Sequence, residues 1–145
     1  IGVQQIVFHA ETQPHIDGML NRIHARGVRA GVALKPSTPL STLEYVLEKC
    51  DTVLLMLINP GYAFVKGEKQ VAYADRKIRE LRRMIDERGL PTKIELDGRI
   101  SQDNIRAYGK DTVEQFVVGS TCIKRDRMAE SLHELDCLRR EVIGG

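Results

Sequence analysis

The sequence predicts an α/β fold built on a parallel sheet. Short apolar runs alternate with longer stretches whose apolar residues recur every three or four positions. That order, β-α repeated five times, calls for parallel strands joined by right-handed crossovers. One run, Thr52 to Ile58 (TVLLMLI), is apolar at nearly every position, as in strands covered on both faces. With 42% hydrophobic and 29% charged residues over 145 positions, one folded domain over residues 1–145 is expected, and a disordered tail, a collagen or a coiled coil is excluded. Two architectures share this order: an open doubly wound parallel sheet, and part of a (β/α)8 barrel. The length suits the first, since a whole barrel typically takes about 250 residues. The loop chemistry favours the second.

Val3 to His9 is apolar and β-branched and reads as the first strand. Pro14 opens a helix to Arg26, with Ile16, Met19, Leu20 and Ile23 on one face and Gly27 as its stop. Val28 to Leu34 is the second strand. Thr38 as N-cap and Pro39 at the first helical position predict a helix to about Lys49, burying Leu40, Leu43, Val46 and Leu47. Thr52 to Ile58 follows, then a loop containing Asn59-Pro60-Gly61-Tyr62 and Lys66-Gly67. A helix over Val71 to Glu87 turns Val71, Ala74, Ile78, Leu81 and Ile85 inward and carries Arg76, Lys77, Arg79, Arg82 and Arg83 outside. A solvated basic face is the plain account of that outer row. Thr92 to Leu96 is the fourth strand, ending in Asp97-Gly98. A short helix, Gln102 to Tyr108, precedes the fifth strand, Gln115 to Val118, which ends in Gly119-Ser120. A closing helix from about Arg127 to Val142 has Met128, Leu132, Leu135, Leu138 and Val142 as its stripe.

Charge and composition narrow the partners. Twenty-two Lys and Arg against 20 Asp and Glu leave +2, and aromatics are 5%, so nucleic acid is not an expected partner. No apolar stretch approaches the roughly 18 residues that span a bilayer, so no membrane is expected. The first residues lack the basic and apolar regions of a secretory signal. The chain opens on Ile1 rather than Met, which leaves processing, trimming or a piece of something longer as readings. Cys50, Cys122 and Cys137 cannot all pair within the chain and none sits in a CxxC. A reducing, cytoplasmic setting with buried thiols is expected.

In either architecture the chemistry belongs at the C-terminal ends of the strands. Those ends carry His9 and Glu11, Lys35, Asn59 with Gly61, Asp97 with Gly98, and Gly119 with Ser120. A glycine lets a backbone N–H approach a ligand closely. If the last two strands are the last two of a barrel, Gly98, Arg99, Gly119 and Ser120 are candidate phosphate contacts. Glycine also serves ordinary turns, and that reading stands beside it.

The segments Phe8 to Glu11 (FHAE), Gly31 to Pro39 (GVALKPSTP), Val53 to Tyr62 (VLLMLINPGY), Leu96 to Gly98 (LDG) and Phe116 to Thr121 (FVVGST) occur in an order and spacing that resemble the ribulose-phosphate 3-epimerase family. The resemblance spans essentially the whole chain. It implies a (β/α)8 TIM barrel in which this chain supplies strands four to eight with their helices, an incomplete barrel lacking the first three βα units. It further implies epimerisation at C3 of a ketose phosphate of the ribulose 5-phosphate or xylulose 5-phosphate type. In the family, carboxylates on opposite faces of the substrate remove and return a proton through an enediolate. A divalent metal (Zn, Fe, Mn or Co), held by two His and two Asp, steadies the charge.

One such Asp matches Asp97, which would be both metal ligand and proton carrier. The other ligands fall on strands without a counterpart here. Among local substitutes, His9 with Glu11 is the best placed, while His15, His24 and His133 fall on helices. Met56 matches an active-site Met, and Asn59, Pro60 and Gly61 match the start of a mobile loop. Two departures stand out: Tyr62 to Gly67 replaces a Gly-Gly-Gln type of stretch, and Arg99 stands where many members carry a second Gly. A guanidinium there would add a bidentate phosphate contact or block the pocket. The family also implies a homo-oligomer. The alternative to an enzyme is a non-catalytic phosphate-binding or assembly module.

Overall fold

The computed structural model describes residues 2–144. Five strands form one parallel sheet: β1 (Gln5–His9), β2 (Arg29–Leu34), β3 (Thr52–Met56), β4 (Lys93–Asp97) and β5 (Gln115–Val117). They lie side by side in chain order, 1-2-3-4-5. That order separates the two architectures. A doubly wound sheet reverses direction at a switch point, whereas a sheet that always steps the same way with right-handed crossovers keeps its helices on one face. This is the winding of a (β/α) barrel, of which the chain forms five consecutive units.

Burial confirms one helix-covered face. Ala30, Val32 and Leu34 of β2, Val53 and Leu55 of β3, and Ile94 and Leu96 of β4 are buried. They pack with Leu20, Ile78, Leu81 and Ile85 from the helices. The alternate residues line the other face in register: Ala33 beside Leu54, Leu54 beside Glu95, Met56 beside Asp97, and Asp97 beside Val117. On that face Gly31 is tightly enclosed, since a Cβ there would stand 2.9 Å from the Thr52 carbonyl oxygen and from Val7.

The helices are α1 (Ile16–His24), α2 (Ala74–Glu87), α3 (Gln102–Tyr108) and α4 (Met128–Gly144). α3 has the expected bounds, and Ser101 and Asn104 form a capping box at its start. The expected helix from Thr38 to Lys49 does not form. Two 3-10 turns, Leu40–Leu43 and Leu47–Lys49, take its place. Pro39 is extended ahead of the first turn, and the Thr38 hydroxyl bonds Glu11 instead of capping. Leu43, Val46 and Leu47 are buried all the same. The apolar residues thus reach the core through short turns, in a segment whose Ser41, Thr42 and Val46 are weak helix formers.

Two faces also differ from expectation. Met128 and Leu132 of α4 are about half exposed (52% and 51%), because only the later part of that stripe, around Leu138, meets the core. Lys77 of α2 is not a solvated surface cation. Its ammonium donates to the carbonyls of Lys35, Pro36 and Thr38 at 2.9, 2.9 and 2.6 Å. Cys50 and Cys122 are buried but Cys137 is exposed, and all three are free. Among the described residues no helix is long and apolar enough to cross a membrane.

Candidate functional site

The C-terminal end of the sheet gathers the polar groups expected there, into two separate clusters. At β4 and β5 a cavity of about 170 Å³ is lined by Asp97, Gly98, Arg99, Gly119, Ser120 and Thr121, with Ile58 and Ala63 on its loop side. Five residues assigned from sequence therefore share one pocket. Met56 neighbours Asp97 in register without lining that cavity, and the Asn59-Pro60-Gly61 turn is exposed just outside it.

Backbone geometry makes the corner. Gly98 has φ 113°, and a Cβ there would stand 2.9 Å from the Ile58 nitrogen. Only glycine lets the chain turn so close to the end of β3. At the facing turn, the Gly119 carbonyl accepts from the N–H groups of Cys122 and Ile123 at 3.0 and 2.8 Å. The Lys124 ammonium takes the carbonyls of Ser120 and Thr121 at 2.9 and 3.2 Å. The N–H groups of Ser120 and Thr121 find no acceptor among the described residues. Carbonyls tied back and N–H groups left over are the arrangement that receives an anion.

Asp97 is half-buried at the rim, and its carboxylate has no hydrogen-bond or ion-pair partner among the described residues. Glu95, two residues earlier on the same face, has its carboxyl pushed up by burial and by the Asp97 charge. Asp97 thus stands without a partner beside the Ser120 turn.

The second cluster is structural. Burial works against the charge of Glu11. The Thr38 hydroxyl, the Lys35 N–H at 2.8 Å and His9 at 3.2 Å outweigh it and hold the carboxyl down to about 2. Both oxygens are committed, one to Lys35 and Thr38 and the other to His9. Two strands, β2 and β3, lie between β1, which ends in this cluster, and β4, which ends in Asp97. Among the described residues no three His, Cys, Asp or Glu side chains converge as a metal site. Asp97 offers one ligand, which does not by itself fit a divalent ion.

Another cavity, of about 210 Å³, lies at the opposite end of the sheet among Gln5, His24, Arg29, Asp51 and Thr52. Asp51 there is engaged by the Ala30 N–H and by His24 at 2.7 and 2.8 Å. Polar groups at this end of a barrel serve stability.

Sequence reasoning missed Gln70. Its amide donates to the carbonyls of Gly98 and Arg99 at 2.9 and 3.3 Å and to the Asn104 side-chain oxygen at 3.0 Å. No local signal marks it, because its partners lie at least 28 residues away.

A one-way parallel sheet with, among the described residues, an unpartnered acid and two free N–H groups at the C-terminal strand ends defines a barrel-type α/β protein whose candidate site lies at that end. The comparisons specify it further. The profile of the Ribulose-phosphate 3 epimerase family matches residues 1–123, and the chain belongs to that family. It is 36% identical over 134 residues to the ribulose-phosphate 3-epimerase of Escherichia coli (strain K12), covering 92% of this chain and 58% of that one. With the protein of the same name from Synechocystis sp. the identity is 38% over 133 residues, or 90% of this chain and 56% of that one. With that from Serratia marcescens it is 37% over 119 residues, or 82% and 55%. The chain therefore spans a little over half the length of these relatives.

Proposed function

We propose that the chain carries the phosphate corner and one of the two proton-transfer acids of a ketose-phosphate 3-epimerase. The observation that carries this reading is the unpartnered Asp97 carboxylate in one cavity with Gly98, Gly119 and Ser120. The N–H groups of the Ser120 turn receive the phosphate, with Gly98 and Arg99 closing the other side. Asp97 then takes the proton from C3 of the sugar. The electron pair of the C–H bond moves toward the C2 carbonyl, leaving an enediolate, and a proton returned to the opposite face of C3 completes inversion. The acid for that opposite face is not among the residues lining this cavity. A divalent metal is part of the proposal only so far as Asp97 supplies one ligand to it, and no step here depends on it. The substrate class is a ketose phosphate of the ribulose 5-phosphate or xylulose 5-phosphate type. A homo-oligomer in a reducing, cytoplasmic compartment belongs to the same reading, supported by the open sheet edges and the three free thiols.

The test is Asp97→Asn in epimerase-active protein that carries this chain. The amide keeps the shape and cannot exchange a proton, so turnover is expected to fall by at least about 100-fold, the low end for general acid–base groups. Unchanged turnover removes Asp97 from the chemistry. A second reading, a phosphate-binding module without catalysis, is favoured by the lack of converging metal ligands among the described residues. Phosphate binding at the Ser120 turn with no turnover in the unaltered protein would establish it.

A further inference from the structure

We infer that Arg99 is a positioning residue that latches the loop between β3 and α2 against the anion corner, so that the loop wall of the pocket stands in place before any substrate arrives. Arg99 has φ 53°, the only positive φ at a non-glycine position among the described residues. That backbone region favours glycine, and an arginine persists there only where its surroundings hold it. The loop supplies part of that hold. One guanidinium nitrogen, Nη2, donates to the carbonyls of Ala63 and Val65 at 2.9 and 3.3 Å.

The loop has little else to hold its tip. Tyr62 and Val65 are about half exposed and Phe64 almost wholly, at 99%, so apolar packing contributes little at the tip. The turn bonds Tyr62 to Asn59, Val65 to Tyr62 and Glu68 to Val65 are all internal to the loop. Its far end is fixed by Gln70 on the Gly98 and Arg99 carbonyls and by the Val71 N–H on the Leu57 carbonyl at 2.9 Å. Loop and corner are thus laced in both directions, the Gln70 side chain to the Arg99 backbone and the Arg99 side chain to the loop backbone. Ala63, one end of the latch, also lines the cavity that holds Asp97. A charged donor on two loop carbonyls makes a stronger tie than a neutral one.

The importance of this loop rests on the pocket being the substrate site, but the latch itself is tested without any ligand. Amide hydrogen exchange over residues 62–67 is compared in the unaltered chain, Arg99→Gly and Arg99→Ala, each with a thermal melt. Both variants lose the guanidinium, so both are expected to exchange about tenfold faster in that segment, the size of one lost charge-assisted hydrogen bond. Their melts should separate, because glycine accepts φ 53° and alanine does not. Loop exchange that is unchanged in Arg99→Gly overturns the latch, as does exchange that follows the melting temperature and spreads over α2 and β4. Titration with inorganic phosphate, read at the Ser120 and Thr121 amides, is a separate arm. Its failure would remove the anion reading of the corner and leave the exchange difference standing.

Discussion

Glu11 and Asp97 show how neighbours divide two similar side chains between structure and chemistry. Both are acidic and stand at the C-terminal end of the sheet, Asp97 as the last residue of β4 and Glu11 in the 3-10 turn just after β1. Glu11 receives the Lys35 N–H and the Thr38 hydroxyl, which pin the end of β1 to the segment after β2. Asp97 receives no such donors. The consequence for Glu11 is a stability term with a definite sign. Its carboxyl sits at about 2 in the fold against an ordinary 4.5. The ionised form is therefore favoured by folding, fully above about pH 4.5, and the contribution is lost as pH falls from there toward 2. Glu11→Gln should be less stable near neutrality and show a flatter acid limb in a series of urea midpoints from pH 7 to pH 3. Parallel curves would mean that the carboxylate contributes nothing specific. At this scale the sequence shows which residue types stand at strand ends. It does not show which of them are already occupied, because the donors to Glu11 come from positions 24 and 27 residues away.

Strands and helices with strong periodicity were legible as elements. α2 buries Ala74, Ile78, Leu81 and Ile85, the spacing that its sequence displays, and α3 begins at a capping box. The segment between β2 and β3 was not legible. Pro39 and an apolar stripe suggested one helix there, yet the same residues reach the core from two short turns. Lys77 explains part of why that connection is stable without a helix. Its ammonium donates to three carbonyls of the turn that leads into it, those of Lys35, Pro36 and Thr38. Lys77→Met keeps the aliphatic stem and removes the donors. It is expected to destabilise the chain by about 1–3 kcal/mol, the usual loss when partly buried polar groups go unpaired, measured by chemical denaturation. A loss within error would return Lys77 to the solvated face that periodicity alone suggests.

For the whole molecule the decisive fact is strand order. Each of β1 and β5 has a single strand neighbour among the described residues, and each therefore presents unpaired backbone groups. Ile6 of β1 and Val117 of β5 are exposed as well, at about 41% each. Edges of this kind recruit other strands. The 145-residue chain should sediment as an assembly larger than its 16.4 kDa mass at micromolar concentration. A single species at 16.4 kDa would show that the edges are protected by other means.

Alternation of apolar runs and helical faces, and the placing of Asp97, Gly98 and Gly119 at strand ends, follow from the amino-acid order alone. These are properties of neighbours along the chain, where a period of two or of 3.6 leaves its mark. Whether each strand is added to the same side of the last, whether an acid is left without a donor, and whether Arg99 reaches the loop at Ala63 are not of that kind. They depend on pairs of groups tens of residues apart, and only the folded arrangement brings those pairs within hydrogen-bonding distance.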